Sequence, residues 1–269
     1  MPANPRRPSL SAILAVTRKR VAALQGAASE LKRRATQAPP VRPFLSQPGS
    51  TVGLIAEVKR RSPSQGAIRE DLDPVAHARA YVRGGAVAVS VLTDEAHFGG
   101  SLDDLARVAA AVPPPVPVLR KDFILDELQI MEARAAGASA VLLIARILEP
   151  DRMKALARAA QQWGLATLIE VHDAGELEPA LAAGPGVLGI NARDLSTFVV
   201  DLEGAKQLIA RVPSGVPVVA ESGVETRSDV EQLAAAGADF VLVGTSVARH
   251  HNPEAAVRAL TGVRRVGRD

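Results

Sequence analysis

A chain of 269 residues, 47% of them hydrophobic, has the length and apolar content of one large α/β domain. The absence of cysteine excludes disulfides, thiolate catalysis and cysteine-bound zinc, and 3% aromatic residues argue against a base-stacking platform for single-stranded nucleic acid. The net charge of +3 is a mild excess, and no long apolar run predicts a membrane span.

Residues 1–52 are predicted to form a helical extension ahead of the main domain. Ser9 or Ser11 is placed to cap a helix, and the prolines between residues 39 and 48 end the region. The segment is also rich in arginine and poor in acids, as transit peptides and nucleic-acid-binding arms are. A helix with a solvated basic face is favoured, because apolar side chains recur at helical spacing. They are Leu10, Ile13, Leu14, Thr17, Val21 and Leu24.

From residue 53 onward, the chain repeats a unit of strand and then helix. The short Val/Ile/Leu-rich runs are typical of strands buried on both faces, and they span 53–58, 86–92, 116–119, 140–144, 166–171, 187–190, 217–220 and 240–243. Amphipathic stretches follow them at 74–84, 101–112, 126–136, 149–163, 173–183, 201–212, 226–236 and 252–260.

Eight such units predict a single α/β domain, a (β/α)8 TIM barrel over residues 53–262 with an extra N-terminal helix and a basic tail over 263–269. An open doubly wound sheet is the alternative fold. It is usually marked by a G-x-G-x-x-G motif after the first strand, and that motif is missing here.

Polar residues follow the predicted strands at the end where barrel enzymes place their chemistry. They include Glu57 and Lys59, Lys121, Glu170, Asn191 and Arg193, and Glu221. Side chains two apart on a strand share a face, so Glu57 and Lys59 point the same way, as do Asn191 and Arg193. Buried charges cost several kcal/mol each unless they are paired. The cluster therefore indicates a catalytic site, with a purely structural network of ion pairs as the alternative.

The loops after the last two strands predict a phosphate site. They read Glu221-Ser222-Gly223-Val224 and Val243-Gly244-Thr245-Ser246, and a helical pattern follows the second. Small residues let backbone N–H groups approach an anion, and a helix N-terminus adds a favourable dipole. Read singly, these glycines also fit ordinary turns, but this pair of loops is the common phosphate site of the fold. Lys59 is placed to reach the same phosphate.

Several stretches together resemble the indole-3-glycerol phosphate synthase family. They are residues 55–64 (IAEVKRRSPS), 117–124 (PVLRKDFI), 168–172 (LIEVH), 189–195 (GINARDL) and 220–223 (AESG). The resemblance covers the chain except its first residues and the tail after Leu260. It departs at Gln65-Gly66, where the family often has a lysine, and at Thr245, where serine is frequent.

The resemblance implies a reaction and a set of roles. The substrate is 1-(2-carboxyphenylamino)-1-deoxyribulose 5-phosphate, which closes to indole-3-glycerol phosphate with loss of carbon dioxide and water, without cofactor or metal. Lys121 is the general acid, with a pKa expected to be lowered by its surroundings. Glu170 is the base that takes the aniline proton. Lys59 assists the leaving group and holds phosphate, while Glu57 orients Lys121 or Lys59, or transfers a proton itself.

The remaining implied positions bind the substrate. Its hydroxyls or carboxylate are assigned to Ser62, Asn191, Arg193 and Glu221. Its phosphate is assigned to Lys59, Ser222, Gly223, Gly244 and Thr245. Its anthranilate ring is assigned to an apolar slot of Phe98, Phe123, Leu142 and Leu195, each of which would also fit an ordinary core.

Other expectations concern metals, partners and competing functions. The five histidines lack metal-binding spacing, and His172 is expected to be a solvated loop residue rather than a support for Glu170. A phosphorylated small molecule is the expected partner, with neither nucleic acid nor membrane, for a cytoplasmic monomer. Another sugar-phosphate barrel enzyme remains an alternative, although phosphoribosylanthranilate isomerase would carry a cysteine on the first strand. A non-catalytic phosphate-binding barrel would lack Lys121 or Glu170.

Overall fold

Eight parallel strands close into a barrel in the computed structural model, which describes residues 8–45 and 47–268. The strands are β1 Gly53–Val58, β2 Ala88–Leu92, β3 Val118–Lys121, β4 Ala140–Ile144, β5 Ala166–Val171, β6 Val187–Asn191, β7 Val218–Glu221 and β8 Phe240–Val243. Each pairs with its neighbours in chain order, and β1 closes the ring against β8. The predicted (β/α)8 barrel is confirmed.

Three strands end later than the sequence predicted. Strands β3, β6 and β7 continue to Lys121, Asn191 and Glu221, beyond the predicted ends at residues 119, 190 and 220. These polar side chains line the central cavity. Each occupies a strand position that is apolar deeper inside the barrel. Ending these three strands at their last apolar residue therefore stopped too early at the barrel mouth.

Helices surround the barrel and begin at well-formed caps. The extension contains α1 Leu10–Leu24 and α2 Ala28–Gln37. The barrel carries α3 Pro74–Arg83, α4 Glu95–Phe98, α5 Leu102–Ala111, α6 Glu127–Ala135, α7 Pro150–Gln162, α8 Ala174–Ala182, α9 Leu202–Ile209, α10 Arg227–Ala235, α11 Thr245–Arg249 and α12 Pro253–Leu260. Asp126 and Thr226 form capping boxes at α6 and α10. The sequence did not predict α2 or α4, and it indicated a helix after Ser246 without giving the bounds of α11.

Alternation along the strands divides the core into two layers. On β1, Leu54, Ala56 and Val58 face the helices, whereas Ile55 belongs to the cluster inside the barrel. Glu57 shares the inward face of Ile55, as residues two apart on a strand must. The interior cluster is made mainly of aliphatic side chains, including Leu119, Leu142, Leu168 and Val219. The barrel is therefore packed below a polar mouth.

The N-terminal extension runs along one side of the barrel. Helix α1 begins at Ser9, whose side chain accepts a hydrogen bond from the backbone N–H of Ala12 at 3.2 Å, and it buries Ile13 and Thr17. Arg20 of α1 forms a 2.7 Å ion pair with buried Asp122, the residue after Lys121. Helix α2 packs against α6. The first helix is thereby fixed directly to the loop that carries Lys121.

The C-terminal residues are anchored at the other end of the barrel. Asp239, just before β8, is buried and pairs with Arg265 at 2.8 Å and with Arg268 at 2.9 Å. Arg268 also donates to the carbonyls of Gly237 and Val216. Residues 1–7 of the predicted extension and Asp269 of the predicted tail lie outside the described residues. Within the described ranges, no helix is long and apolar enough to cross a membrane.

Candidate active site

A cavity of about 370 Å³ opens at the carboxyl ends of the strands. Every site residue predicted from the sequence lines it: Glu57, Lys59, Ser62, Phe98, Lys121, Phe123, Leu142, Glu170, Asn191, Arg193, Leu195, Glu221, Ser222, Gly223, Gly244 and Thr245. These side chains come from all parts of the chain between residues 57 and 245. The spatial convergence that the sequence predicted is present.

Charged side chains from the four odd-numbered strands meet at the floor of this cavity. Glu57, Lys121, Glu170 and Glu221 stand on β1, β3, β5 and β7, the alternate strands that build one layer of a barrel. The Lys121 ammonium lies 3.1 Å from a Glu170 oxygen and 3.3 Å from a Glu221 oxygen. Lys59 pairs with Glu57 at 2.6 Å. Glu57 therefore contacts Lys59 directly, which agrees with one of its two predicted orienting roles.

The expectation that Lys121 has a lowered pKa is wrong. Burial lowers the pKa of Lys121, but the carboxylates of Glu170, Glu221 and Glu57 outweigh it and raise that pKa above its ordinary value. A lowered pKa would require cationic or apolar surroundings, whereas the structure surrounds the ammonium of Lys121 with acids. Lys121 consequently holds its proton throughout the neutral range.

The pKa values of the two carboxyl groups beside Lys121 are shifted in opposite directions. Burial and the neighbouring Glu170 raise the pKa of Glu221, and Lys121 offsets only part of this. Burial also acts to raise the pKa of Glu170, but Lys121, His172 and a hydrogen bond from Asn191 lower it. A pair of acids with separated pKa values can divide the roles of proton donor and acceptor. Glu170 is the ionised member of the pair.

Arg60 and Arg120 adjoin site residues in the sequence, but their side chains form ion pairs that stabilise the fold. Arg120 is fully buried behind the barrel wall and pairs with Asp122 at 2.9 Å and Glu132 at 3.2 Å. Arg60 pairs with Asp104 at 2.5 Å and donates to the Gly99 carbonyl, which ties the loop after β1 to α5. In the described part of the chain, no group of three or more histidine and acidic side chains is placed to hold a metal ion.

The loops after β7 and β8 have the backbone shapes that close approach to an anion requires. Ser222 and Gly223 have positive φ angles of 66° and 76°, a conformation that is costly for a serine and tends to occur at functional sites. At Gly244, a Cβ atom would lie 2.5 Å from the Glu57 carboxylate and 2.7 Å from the Lys59 ammonium. Any larger residue at this position would displace that ion pair. Helix α11 starts directly afterwards, at Thr245.

Apolar side chains line the opposite part of the mouth. Phe98 and Phe123 pack with ring centroids 6.2 Å apart, and Leu142 and Leu195 line the same cavity. The short helix α4, capped by Asp94, positions Phe98. In the closed ring, β3 and β4 lie across from β7 and β8. An aromatic group and a phosphate would therefore occupy opposite ends of one cavity.

Some lining residues were missed by the sequence analysis. Ile144 stands two residues after Leu142 on β4, so alternation alone would have found it. Ser64 and Gln65 lie in a loop closed by a two-residue antiparallel pair, Arg61–Ser62 with Gly66–Ala67. Gln65, at the position where the family often has lysine, accepts a 2.8 Å hydrogen bond from Arg249 of α11. No local pattern predicts that long-range contact.

The expectation that His172 is a solvated loop residue is also wrong. Its side chain is 2% exposed, with Nε2 3.4 Å from Glu170 and Nδ1 3.4 Å from Glu176. His172 follows Glu170 by two positions, and the alternation that placed Glu57 beside Lys59 continues one residue past the end of β5. That signal would have placed the imidazole on the same side as the carboxylate.

Known proteins are similar to this chain in sequence or in fold. The family model described as indole-3-glycerol phosphate synthase matches residues 10–260. A protein of that name from Rhodopirellula baltica is 47% identical over 255 residues, covering 93% of this chain and 98% of that protein. Indole-3-glycerol phosphate synthase 2 of Streptomyces coelicolor is 48% identical, covering 87% and 90%.

Solved structures with little sequence similarity show the same barrel. Thiamine phosphate pyrophosphorylase from Pyrococcus furiosus superposes with a TM-score of 0.60 at 18% identity, covering 78% of this chain and 93% of that one. Tryptophan synthase subunit alpha from Legionella pneumophila gives 0.59 at 15% identity, covering 78% and 91%. Those likenesses concern the fold alone. The family match over most of the chain shows that this protein belongs to the indole-3-glycerol phosphate synthase family.

Proposed function

We propose that the chain closes the indole ring of 1-(2-carboxyphenylamino)-1-deoxyribulose 5-phosphate, releasing carbon dioxide, water and indole-3-glycerol phosphate. The observation that carries this proposal is the polarity of the cavity. It has an aromatic slot near β3 and β4, small-residue loops after β7 and β8, and an ammonium with carboxylates between them. The substrate has the same order of groups, with an anthranilate ring at one end, a phosphate at the other and the reacting carbonyl between.

Lys121 would act first, as the proton donor to the ribulose carbonyl. An attacking aryl carbon is a weak nucleophile, so the carbonyl oxygen needs a proton or a strong hydrogen bond as its charge develops. The raised pKa of Lys121 supports this role by keeping the ammonium protonated until the substrate oxygen replaces a carboxylate as its partner. Arg193, whose guanidinium also donates to the Phe198 carbonyl at 3.0 Å, would hold the substrate carboxylate until it leaves.

Glu170 would serve as the base in the dehydration that follows. Its lowered pKa supports an ionised state before the reaction. Lys59, paired with Glu57 at 2.6 Å, would contact the phosphate and assist departure of the hydroxyl group. Ser222, Gly223, Gly244 and Thr245 would complete the phosphate site, with Ser62, Asn191 and Glu221 on the substrate hydroxyls.

We also propose that the protein is a cytoplasmic monomer. The large exposed hydrophobic side chains of the described residues are Val16, Val87, Val199 and Val266, which lie in four separate parts of the chain. Scattered single residues of this kind support a monomer, because stable interfaces bury continuous apolar patches. The lack of cysteine suits the reducing cytoplasm. Light scattering after size-exclusion chromatography would test the monomer.

The direct test is turnover of the carboxyphenylamino-ribulose phosphate, followed by the appearance of indole absorbance and fluorescence. We expect product formation by the purified protein without added metal or cofactor. A folded preparation that binds the substrate and forms no indole would contradict the proposal and favour a phosphate-binding barrel without this activity. Conversion of a different sugar phosphate instead would favour another barrel enzyme.

A further inference from the structure

The proposed base has a second partner that the reaction scheme does not use. Glu170 presents one carboxylate oxygen to Lys121 at 3.1 Å and the other to His172 Nε2 at 3.4 Å. The opposite ring nitrogen, Nδ1, lies 3.4 Å from Glu176 of α8. The imidazole is therefore held between two carboxylates, and its side chain is 2% exposed.

Two hydrogen bonds fix Glu176 in turn. Its oxygens accept hydrogen bonds from the His172 backbone N–H at 2.7 Å and from Arg146 Nε at 2.6 Å. Arg146 follows β4 and also pairs with Asp173 at 2.6 Å and with Asp194, after β6, at 2.9 Å. The ring is thus supported by a network that runs from β4 to β6 around the back of β5.

The chemistry of imidazole makes this arrangement specific. A neutral ring has one N–H and one lone pair, so it satisfies one carboxylate and repels the other. A protonated ring carries a donor on each nitrogen and satisfies both. The charged and titratable groups facing it are Glu170 on its own strand, Glu176 on α8 and, behind Glu176, Arg146 with Asp173 and Asp194. The two nearest groups, Glu170 and Glu176, are both acids, and each lies 3.4 Å from one ring nitrogen.

The second partner matters at the moment when substrate enters. The ammonium of Lys121 then turns to the substrate carbonyl, and Glu170 loses its closest positive charge. A buried carboxylate without a positive neighbour is driven toward its protonated form, in which it cannot act as a base. His172 does not line the cavity, so the substrate leaves it in place.

We propose that His172 is a positioning residue that keeps Glu170 oriented and ionised as a base while Lys121 serves the substrate, and that Glu176 and Arg146 hold the imidazole for this purpose. This inference rests on the proposed function for the role of Glu170. It assigns no contact between His172 and the substrate.

The kinetic test compares His172→Gln with the unaltered protein in the indole-forming reaction across pH. Because kcat requires ionised Glu170, its acidic limb reports the pKa of that group in the substrate complex. We expect the limb to move to higher pH, kcat to fall about tenfold at neutral pH, and KM to stay within about twofold. Glu176→Gln should move the limb in the same direction by less. His77→Gln is the matched control, since His77 is buried on α3 and lies outside the cavity.

A second measurement needs no turnover, so it separates this inference from the proposed function. Nitrogen-15 NMR of histidine-labelled protein follows the His172 ring, identified by its loss in His172→Gln. In Glu170→Gln, removal of the carboxylate 3.4 Å from Nε2 should change the nitrogen-15 shifts of the ring at a fixed pH, because the two groups are in contact. Unchanged ring shifts there would overturn the proposal. So would an unchanged kcat–pH profile in both His172→Gln and Glu176→Gln. If His172→Gln does not fold, the Glu176→Gln profile and the ring shifts in Glu170→Gln decide the matter.

Discussion

Lys121 and Glu170 contact each other before any substrate arrives, so a substitution at either one changes the state of both. Removing the ammonium takes away the largest influence that lowers the pKa of Glu170. Removing the carboxylate takes away one of the three acids that raise the pKa of Lys121. The effects of such neighbours on the rate are therefore not additive.

Lys121→Met should abolish the proton-donor role while keeping the length of the side chain. We expect kcat to fall by at least about a hundredfold, as loss of a general acid does, with substrate affinity changed much less. Single-turnover kinetics and an equilibrium binding titration would measure the two effects. Lys154→Met, an exposed substitution on α7, is the control. Full activity of Lys121→Met would remove Lys121 from the mechanism.

Glu221 makes the stability of the fold depend on pH. Its pKa is raised in the folded state, so its protonated form favours folding, and that contribution is lost as the pH rises through the raised value. Glu221→Gln keeps a neutral side chain at every pH. The variant should therefore gain stability relative to the unaltered protein between about pH 5 and about pH 9. Thermal melts of both proteins at the two pH values measure this, and a constant difference in Tm would show that the carboxyl group does not titrate in that range.

At the scale of elements, the close contact of Gly244 with the Glu57–Lys59 ion pair can be tested by substitution in the loop after β8. Gly244→Ala would push a methyl group against the Glu57–Lys59 ion pair, and the cost should be about 1 kcal/mol, the lower end for overpacking, because the atoms it meets are the ends of flexible side chains. We expect lower stability in urea and a higher KM, since Lys59 is displaced. Gly26→Ala is the matched control, because nothing lies within 4 Å of the added atom. Equal effects of the two substitutions would contradict the steric explanation.

The strands show how far the sequence predicts this molecule. Short runs of Val, Ile and Leu identified all eight strands, because a strand buried on both faces leaves a continuous apolar signal. The pairing of residues two apart correctly turned Glu57 and Lys59 to the same side. The sign of the pKa shift at Lys121 was not predictable, since it depends on three carboxylates from other strands at distances that only folding sets. The burial of His172 was within reach of the same alternation rule, which was applied to the residues after the first and sixth strands but not to the residue after the fifth.

At the scale of the whole molecule, the first helix and the last described residues are fixed at opposite ends of the barrel. Arg20 pairs with Asp122 near the mouth, and Arg268 pairs with Asp239 beneath β8. Composition identified both termini as basic but did not identify their partners, because each pair joins residues that are distant in sequence or separated by a strand and two helices. From sequence alone, a basic terminus is therefore interpreted as a solvated tail, because the acidic residue that pairs with it is not known.

Arg268→Met should destabilise the whole barrel. The substitution leaves Asp239 buried with one partner fewer. Breaking a buried ion pair costs about 3 kcal/mol or more. We expect the lower value here, because Arg265 still pairs with Asp239. The free energy of unfolding in urea is the measurement. Arg264→Met, at an exposed neighbouring position, should change it by less than about 0.5 kcal/mol. Equal stability of the two variants would show that the Arg268 contact contributes nothing.

The pairing of β1 with β8 has a consequence for folding. The first strand of the barrel closes the ring against the last, so their contacts join residues that are far apart in the sequence. Contacts of this kind form slowly, because a long loop must be closed before they can be made. Until β8 docks, a folding chain has two open strand edges, and this seam is where chaperones and proteases would bind an incomplete barrel.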